Sequence, residues 1–117
     1  MDLNELKRRL KELDLSEIKT TKHAFERIQD KRRKINYPQI VNLIRSSEKL
    51  YKFEEQTAKN PDESKFKLWF KLNYIYDMNV YTVINKKSRE KGLNSLRIIS
   101  AHKVKRKIQE KITKNES

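Results

Sequence analysis

The chain has no cysteine and a single glycine, Gly92, among 117 residues. Without cysteine there are no disulfides, no thiolate nucleophile and no cysteine-rich zinc site. With one glycine there is no glycine-rich phosphate loop, which argues against NTP-dependent enzymes. Histidine is almost as scarce. Nothing at ligand spacing surrounds either His23 or His102, so neither a metal site nor a cofactor is expected. Two-metal nucleases need clustered carboxylates. Pro61-Asp62-Glu63-Ser64-Lys65 resembles a restriction-type nuclease motif only superficially, because its two halves are fused in one loop instead of being separated by a strand. Long apolar runs are missing too. The opening MDLNELKRRLKEL alternates charge with leucine and reads as neither signal peptide nor membrane span, which makes the cytoplasm the default location.

What the chain does have is positive charge. Lys and Arg number 29 against 16 Asp and Glu, a net +13, while hydrophobic residues make up only 35%. Such a surface attracts polyanions, of which nucleic acid is the commonest partner; the blander reading is a lysine-rich surface with no ligand. Attachment to a membrane surface would need one long helix with a bulky apolar side, and the basic residues here are spread over several elements.

The length fits one domain with one core. Leu3, Leu6, Leu10 and Leu13 recur at helical spacing, predicting an amphipathic helix over 2–13. Its narrow stripe fits packing on the domain itself or, alternatively, a homodimer seam. Thr20 or Thr21 offers an N-cap for a second helix over about 22–33, with Ala24, Phe25 and Ile28 inward. Tyr37-Pro38 opens a third helix, whose buried face is Ile40, Val41 and Ile44. From residue 49 the period changes. KLYKFEE predicts a strand, and KFKLWFKLNY alternates, with Phe66, Leu68, Phe70, Leu72 and Tyr74 on one side and Lys65, Lys67, Trp69, Lys71 and Asn73 on the other. A tight Tyr76-Asp77 turn leads to the strand NVYTVIN. NKKSREKGLN is then a hairpin loop, SLRIISA the last strand, and 102–113 a closing helix. The expected fold is α+β, with helices on one face of a meander sheet.

Lys65, Lys67 and Lys71 around Trp69 form a cationic stripe broken by one aromatic, which suits phosphates and a stacked base; the competing reading buries Trp69. His23 and Arg27 share a helix face, followed by Arg32 and Arg33.

"RIISA", followed by Lys103 and Arg106, resembles the C-terminal signature of BrnT-type toxins, RelE-like ribonucleases of toxin–antitoxin pairs. The stretch TKHAFERIQDKRRKINYPQIVNLIRSSEKLYKFEE resembles the start of a related, little-characterised family of the same superfamily. Together the two cover about residues 20 to 110. The resemblance implies a single RelE-like domain over 1–117: N-terminal helices packed on a small antiparallel meander sheet, with a C-terminal helix. Residues 1–15 would be an extra N-terminal helix, and 114–117 would fray. His23 and Arg27 match the family's helix pair, Arg32 or Arg33 the next basic position, Arg97 and Ser100 the strand, and Lys103 and Arg106 the helix start. His102 stands where BrnT-type chains usually carry arginine, and Lys107 where they often carry an acid.

The expected function is therefore a metal-independent endoribonuclease, with RNA, free or on the ribosome, and a cognate antitoxin protein as partners. An RNA- or DNA-binding module of the same fold without turnover is the alternative. Cleavage by an RNA's own 2′-hydroxyl needs a proton acceptor, a proton donor and cations for the phosphorane, all of which histidine, arginine and lysine supply. The candidate catalytic residues are His23, Arg27, Arg97, His102, Lys103 and Arg106. Arg97, Lys103 and Arg106 are expected to converge on one phosphate while adding little to stability. Lys65, Lys67, Trp69, Lys71, Arg32, Arg33 and Lys105 are the candidate nucleic-acid contacts.

Overall fold

The computed structural model describes residues 1–85 and 95–107. Three helices, α1 (Leu3–Lys11), α2 (Lys22–Ile28) and α3 (Tyr37–Ser46), accompany five strands: β1 (Ile18–Thr20), β2 (Leu50–Gln56), β3 (Glu63–Lys71), β4 (Tyr76–Asn85) and β5 (Leu96–Lys105). The α+β expectation holds. The sheet runs β1-β5-β4-β3-β2 and is mixed, because β1 pairs in parallel with β5 while the other pairs are antiparallel.

Local chemistry starts each helix. Asp2 accepts the Glu5 N–H at 2.8 Å, Thr21 that of Ala24 at 3.1 Å, and Asn36 that of Gln39 at 2.9 Å, each satisfying an amide that the helix itself leaves unpaired. The leucine stripe of α1 turns inward: Leu6, Leu10 and Leu13 are buried and Leu3 packs against them. The stripe therefore packs on the domain itself, the first of the two readings. Its leucines join Ile40, Val41 and Ile44 of α3 and the inner side of β3, Phe66, Leu68 and Phe70, in one core.

Several expectations are corrected. The second helix ends at Ile28, and Lys31–Arg33 forms a separate 3-10 turn. Phe25 does not point inward. The i, i+4 pair Ala24 and Ile28 takes the buried side of this short helix, and Phe25 stays 39% exposed, edge-on to the Tyr37 ring at 5.4 Å. Tyr74 is 96% exposed because β3 stops at Lys71. The turn falls at 73–75, not at Tyr76-Asp77: the Asn73 carboxamide accepts the N–H groups of Ile75 and Tyr76, both at 2.9 Å. The last strand runs four residues further than expected. His102, Lys103, Val104 and Lys105 belong to β5, and helical geometry begins only at Arg106. The rest of the expected closing helix, most of the NKKSREKGLN loop and the terminal 114–117 lie outside the described residues.

Candidate nucleic-acid interface

Strand β5 decides which side chains meet. Tyr81 pairs with Ser100 but Thr82 with Ile98, so Ile99 is an extra residue, a β-bulge. Side chains alternate faces along a strand, and one added residue reverses every position beyond it. Ile98 and Ala101 thus both face the core, while Arg97 before the bulge and Ser100 and His102 after it share the outer face. Without the bulge His102 would point into the core.

The short β1 brings a second element to this place. Thr20 donates from Oγ1 to the Ile98 carbonyl at 2.9 Å, and Thr21 immediately caps α2, which therefore runs beside β5. Beyond α2, Arg33 donates from Nη1 to the Ala101 carbonyl at 3.0 Å, next to His102.

His102 is the centre of the resulting cluster. One ring nitrogen, Nε2, lies 3.0 Å from Ser100 Oγ, and the ring packs edge-on to Tyr81 with centroids 6.2 Å apart. Although the residue is exposed overall, this packing partly desolvates the imidazole. That desolvation, followed by the charges of Arg33, Arg27 and Lys67, pushes it below the ordinary histidine value. On the other side of Tyr81, the Lys67 and Lys65 ammonium groups lie 5.5 and 6.0 Å from its ring centroid. Two arginines, two lysines, a tyrosine, a serine and a predominantly neutral histidine thus gather on one stretch of sheet. Such a set can hold a phosphodiester and accept a proton.

The expected site residues divide between this cluster and other places. Arg27, Arg33, His102, Lys65 and Lys67 are in it. Arg32 lies at its border, paired to Asp30 at 2.9 Å. His23 is exposed at the start of α2, one turn before Arg27. The expected convergence of Arg97, Lys103 and Arg106 does not occur. Arg97 and Lys103 are six residues apart on one strand, roughly 20 Å, and the bulge puts them on opposite faces. Arg97 reaches Glu63 at 3.5 Å, and the Lys103 ammonium sits 4.4 Å from the Tyr76 ring centroid. Lys105 is exposed at the end of β5.

Arg106 has a different occupation. Its Nε donates to Asp77 Oδ1 at 2.9 Å, and its terminal nitrogens donate to the carbonyls of Asn73, Tyr74 and Tyr76. Asp77 is 0% exposed and also accepts from the Tyr51 hydroxyl, whose own proton is held more tightly by burial and by this bond. Arg106 is thus a clamp on the β3–β4 turn, an arrangement that runs against the expectation that it adds little to stability. Trp69 is also placed: it is 7% exposed, with Lys52 and Lys67 ammonium groups 4.6 and 4.4 Å from its ring centroid, so its faces are not open to a base. Tyr81 and Tyr51 are half-buried aromatics on the outer face; Tyr51 is committed to Asp77, and alternation alone could have indicated Tyr81. Lys71 turns toward the Tyr51 ring at 5.4 Å.

Among the described residues no group of three or more His, Asp or Glu could hold a metal ion, and no helix is long and apolar enough to cross a membrane. Comparison with family models, curated proteins and solved structures finds no match to this chain.

Proposed function

We propose that the protein is a metal-independent endoribonuclease of RelE-like, toxin type, which binds single-stranded RNA across the outer face of the sheet and cleaves it beside His102. The observation that carries this reading is the cluster itself: a neutral-leaning imidazole between Arg27, Arg33 and Lys67, with Tyr81 and Ser100 against its ring. Neutral His102 accepts the proton of a 2′-hydroxyl. That oxygen attacks phosphorus, the bond to the 5′-oxygen breaks, the leaving oxygen takes a proton from water while protonated His102 returns its own to solvent, and the products are a 2′,3′-cyclic phosphate and a 5′-hydroxyl end. The neighbouring cations stabilise the charge that builds on the phosphorane. His102, packed against Tyr81 and Ser100, suits the proton transfer better than His23, which is exposed at the start of α2. A cognate antitoxin that covers this face belongs to the same reading.

One observation favours the alternative of an RNA-binding module without turnover. Arg97, Lys103 and Arg106, the cations of the family's motif, are dispersed. RNA incubated with the protein in excess EDTA separates the two. Cleavage that leaves cyclic phosphate ends supports the enzyme, binding with intact RNA supports the module, and a preference for duplex DNA defeats both.

A further inference from the structure

Beside the His102 cluster lies a polar pocket of about 460 Å³ lined by Arg27, Asp30, Arg32 and Arg33. Three of these four residues are held in place before any ligand arrives. Arg32 donates from Nε and Nη2 to the two Asp30 oxygens at 3.1 and 2.9 Å, and its backbone N–H adds a third bond at 2.9 Å. These bonds hold the Asp30 carboxyl at a pKa of about 2, so it stays ionised with Arg32 as its partner. Arg33 is fixed by a bond to the Ala101 carbonyl, the one its side chain makes among the described residues. A guanidinium has five N–H donors in a rigid fork, so Arg33 keeps several for a ligand, and Arg27 adds its own. Three cations face one already-paired carboxylate. The pocket is an anion site by charge and by donor geometry.

We propose that this pocket binds a phosphate group of the RNA, separate from the one cleaved, and that its occupancy is felt at His102 through Arg27 and Arg33. The second half of this proposal rests on the cleavage reading above. RNA offers the group in two forms, an internal phosphodiester one step along the strand or a phosphomonoester at a strand end. The groups that face His102 are Arg27 and Arg33 on the helical side, Lys67 and Tyr81 on the neighbouring strands, and Ser100 on its own. An anion seated between the two arginines offsets the charges that keep the imidazole from taking up a proton. Its proton affinity then rises as substrate binds, which favours accepting the 2′-hydroxyl proton once the strand is in place.

The probe is inorganic phosphate, titrated at constant ionic strength against a chloride control, with the His102 ring signals followed by NMR. Saturable binding is expected, with an upward shift of the His102 titration midpoint that chloride does not produce. Arg27→Gln should weaken phosphate binding about tenfold or more, as for loss of a charged donor. Arg33→Gln should do the same. Because Arg33 also holds a β5 carbonyl, Arg27→Gln, at an exposed residue, carries the test if the other variant fails to fold. A 2′-O-methyl trinucleotide with hydroxyl ends and its 5′-phosphorylated counterpart then compete with phosphate. Displacement by both identifies an internal subsite, and displacement by the second alone an end-reading one. A response equal to that of chloride, unchanged affinity in Arg27→Gln, or displacement by neither oligonucleotide overturns the proposal. Phosphate binding without RNA cleavage would defeat only the enzymatic reading, and cleavage without saturable phosphate binding only the pocket.

Discussion

The outer face of the sheet has two ends that look alike in sequence and differ in chemistry. At one end Arg106 meets the buried Asp77, and Tyr51 adds a second bond to the same carboxylate. At the other Arg33 meets a carbonyl, Lys65 and Lys67 meet a tyrosine ring, and His102 lies between cations. A cation whose counter-charge is already buried beside it is part of the fold. A cation whose partner is a neutral dipole or a ring keeps its charge for a ligand. Basic character alone does not distinguish them; the nearest anion does.

The largest expected effect tests the closed end. Arg106→Ala removes a guanidinium from the fully buried Asp77, and losing one partner of a buried pair costs about 3–5 kcal/mol. Urea denaturation should show it as a lower midpoint at an unchanged slope. Leu68→Ala, one strand turn from the same end but facing the core, should cost about 2–5 kcal/mol by cavity formation. If Arg106→Ala melts like the parent protein, the two ends do not differ in the way described.

The open end should behave oppositely. His102→Ala should leave the denaturation midpoint near that of the parent and slow metal-free RNA cleavage by about 10²–10⁴-fold, the usual worth of a positioned acid–base group. Normal cleavage without this side chain would remove it from the reaction while leaving the fold intact.

A smaller effect follows from its titration. Burial and then Arg33, Arg27 and Lys67 lower the folded-state value below the unfolded one, so the native state binds fewer protons in that range. The contribution to stability is therefore present in full above the unfolded pKa and is lost as pH falls through the folded one. For cleavage, the neutral base persists to lower pH, and the acid limb of kcat/KM should lie below the ordinary histidine value of 6.5. Arg27→Gln removes one of the depressing charges and should move that limb upward. Movement downward would contradict the placement of Arg27.

Much of the closed core was legible. Helical leucine spacing found α1, Tyr37-Pro38 marked the start of α3, and alternation set Phe66, Leu68 and Phe70 inward. The candidate site was legible only in its residue types. A three-residue strand such as β1 carries too little pattern to be seen, yet it sets α2 beside β5. The bulge at Ile99 is one residue inside an unbroken strand-like run, and it alone sends His102 outward. The closing helix expected over 102–113 starts later because pairing of Val104 with Asp77 holds a strand instead. Arg106 was misread because the carboxylate that claims it lies 29 residues away. Long-range pairing, not propensity, decided each of these.

The smallest effect separates charge held for a ligand from charge held for the fold at a single residue. Lys67 touches two rings, Tyr81 and Trp69, and among the described residues it forms no ion pair within 4.0 Å. Lys67→Ala should therefore change stability by no more than ~0.5 kcal/mol, as for most surface positions. Its effect on RNA should be electrostatic and independent of sequence. Log affinity for single-stranded RNA falls with log salt by about 0.7 per phosphate neutralised, so the variant should show a slope shallower by about that amount. Arg106→Ala, measured under conditions where it is still folded, should leave the slope unchanged, because its charge is already matched by Asp77. Equal slopes for the parent and Lys67→Ala would mean that the strand lies elsewhere on the protein, and a shallower slope for Arg106→Ala would mean that the closed end is open to RNA after all.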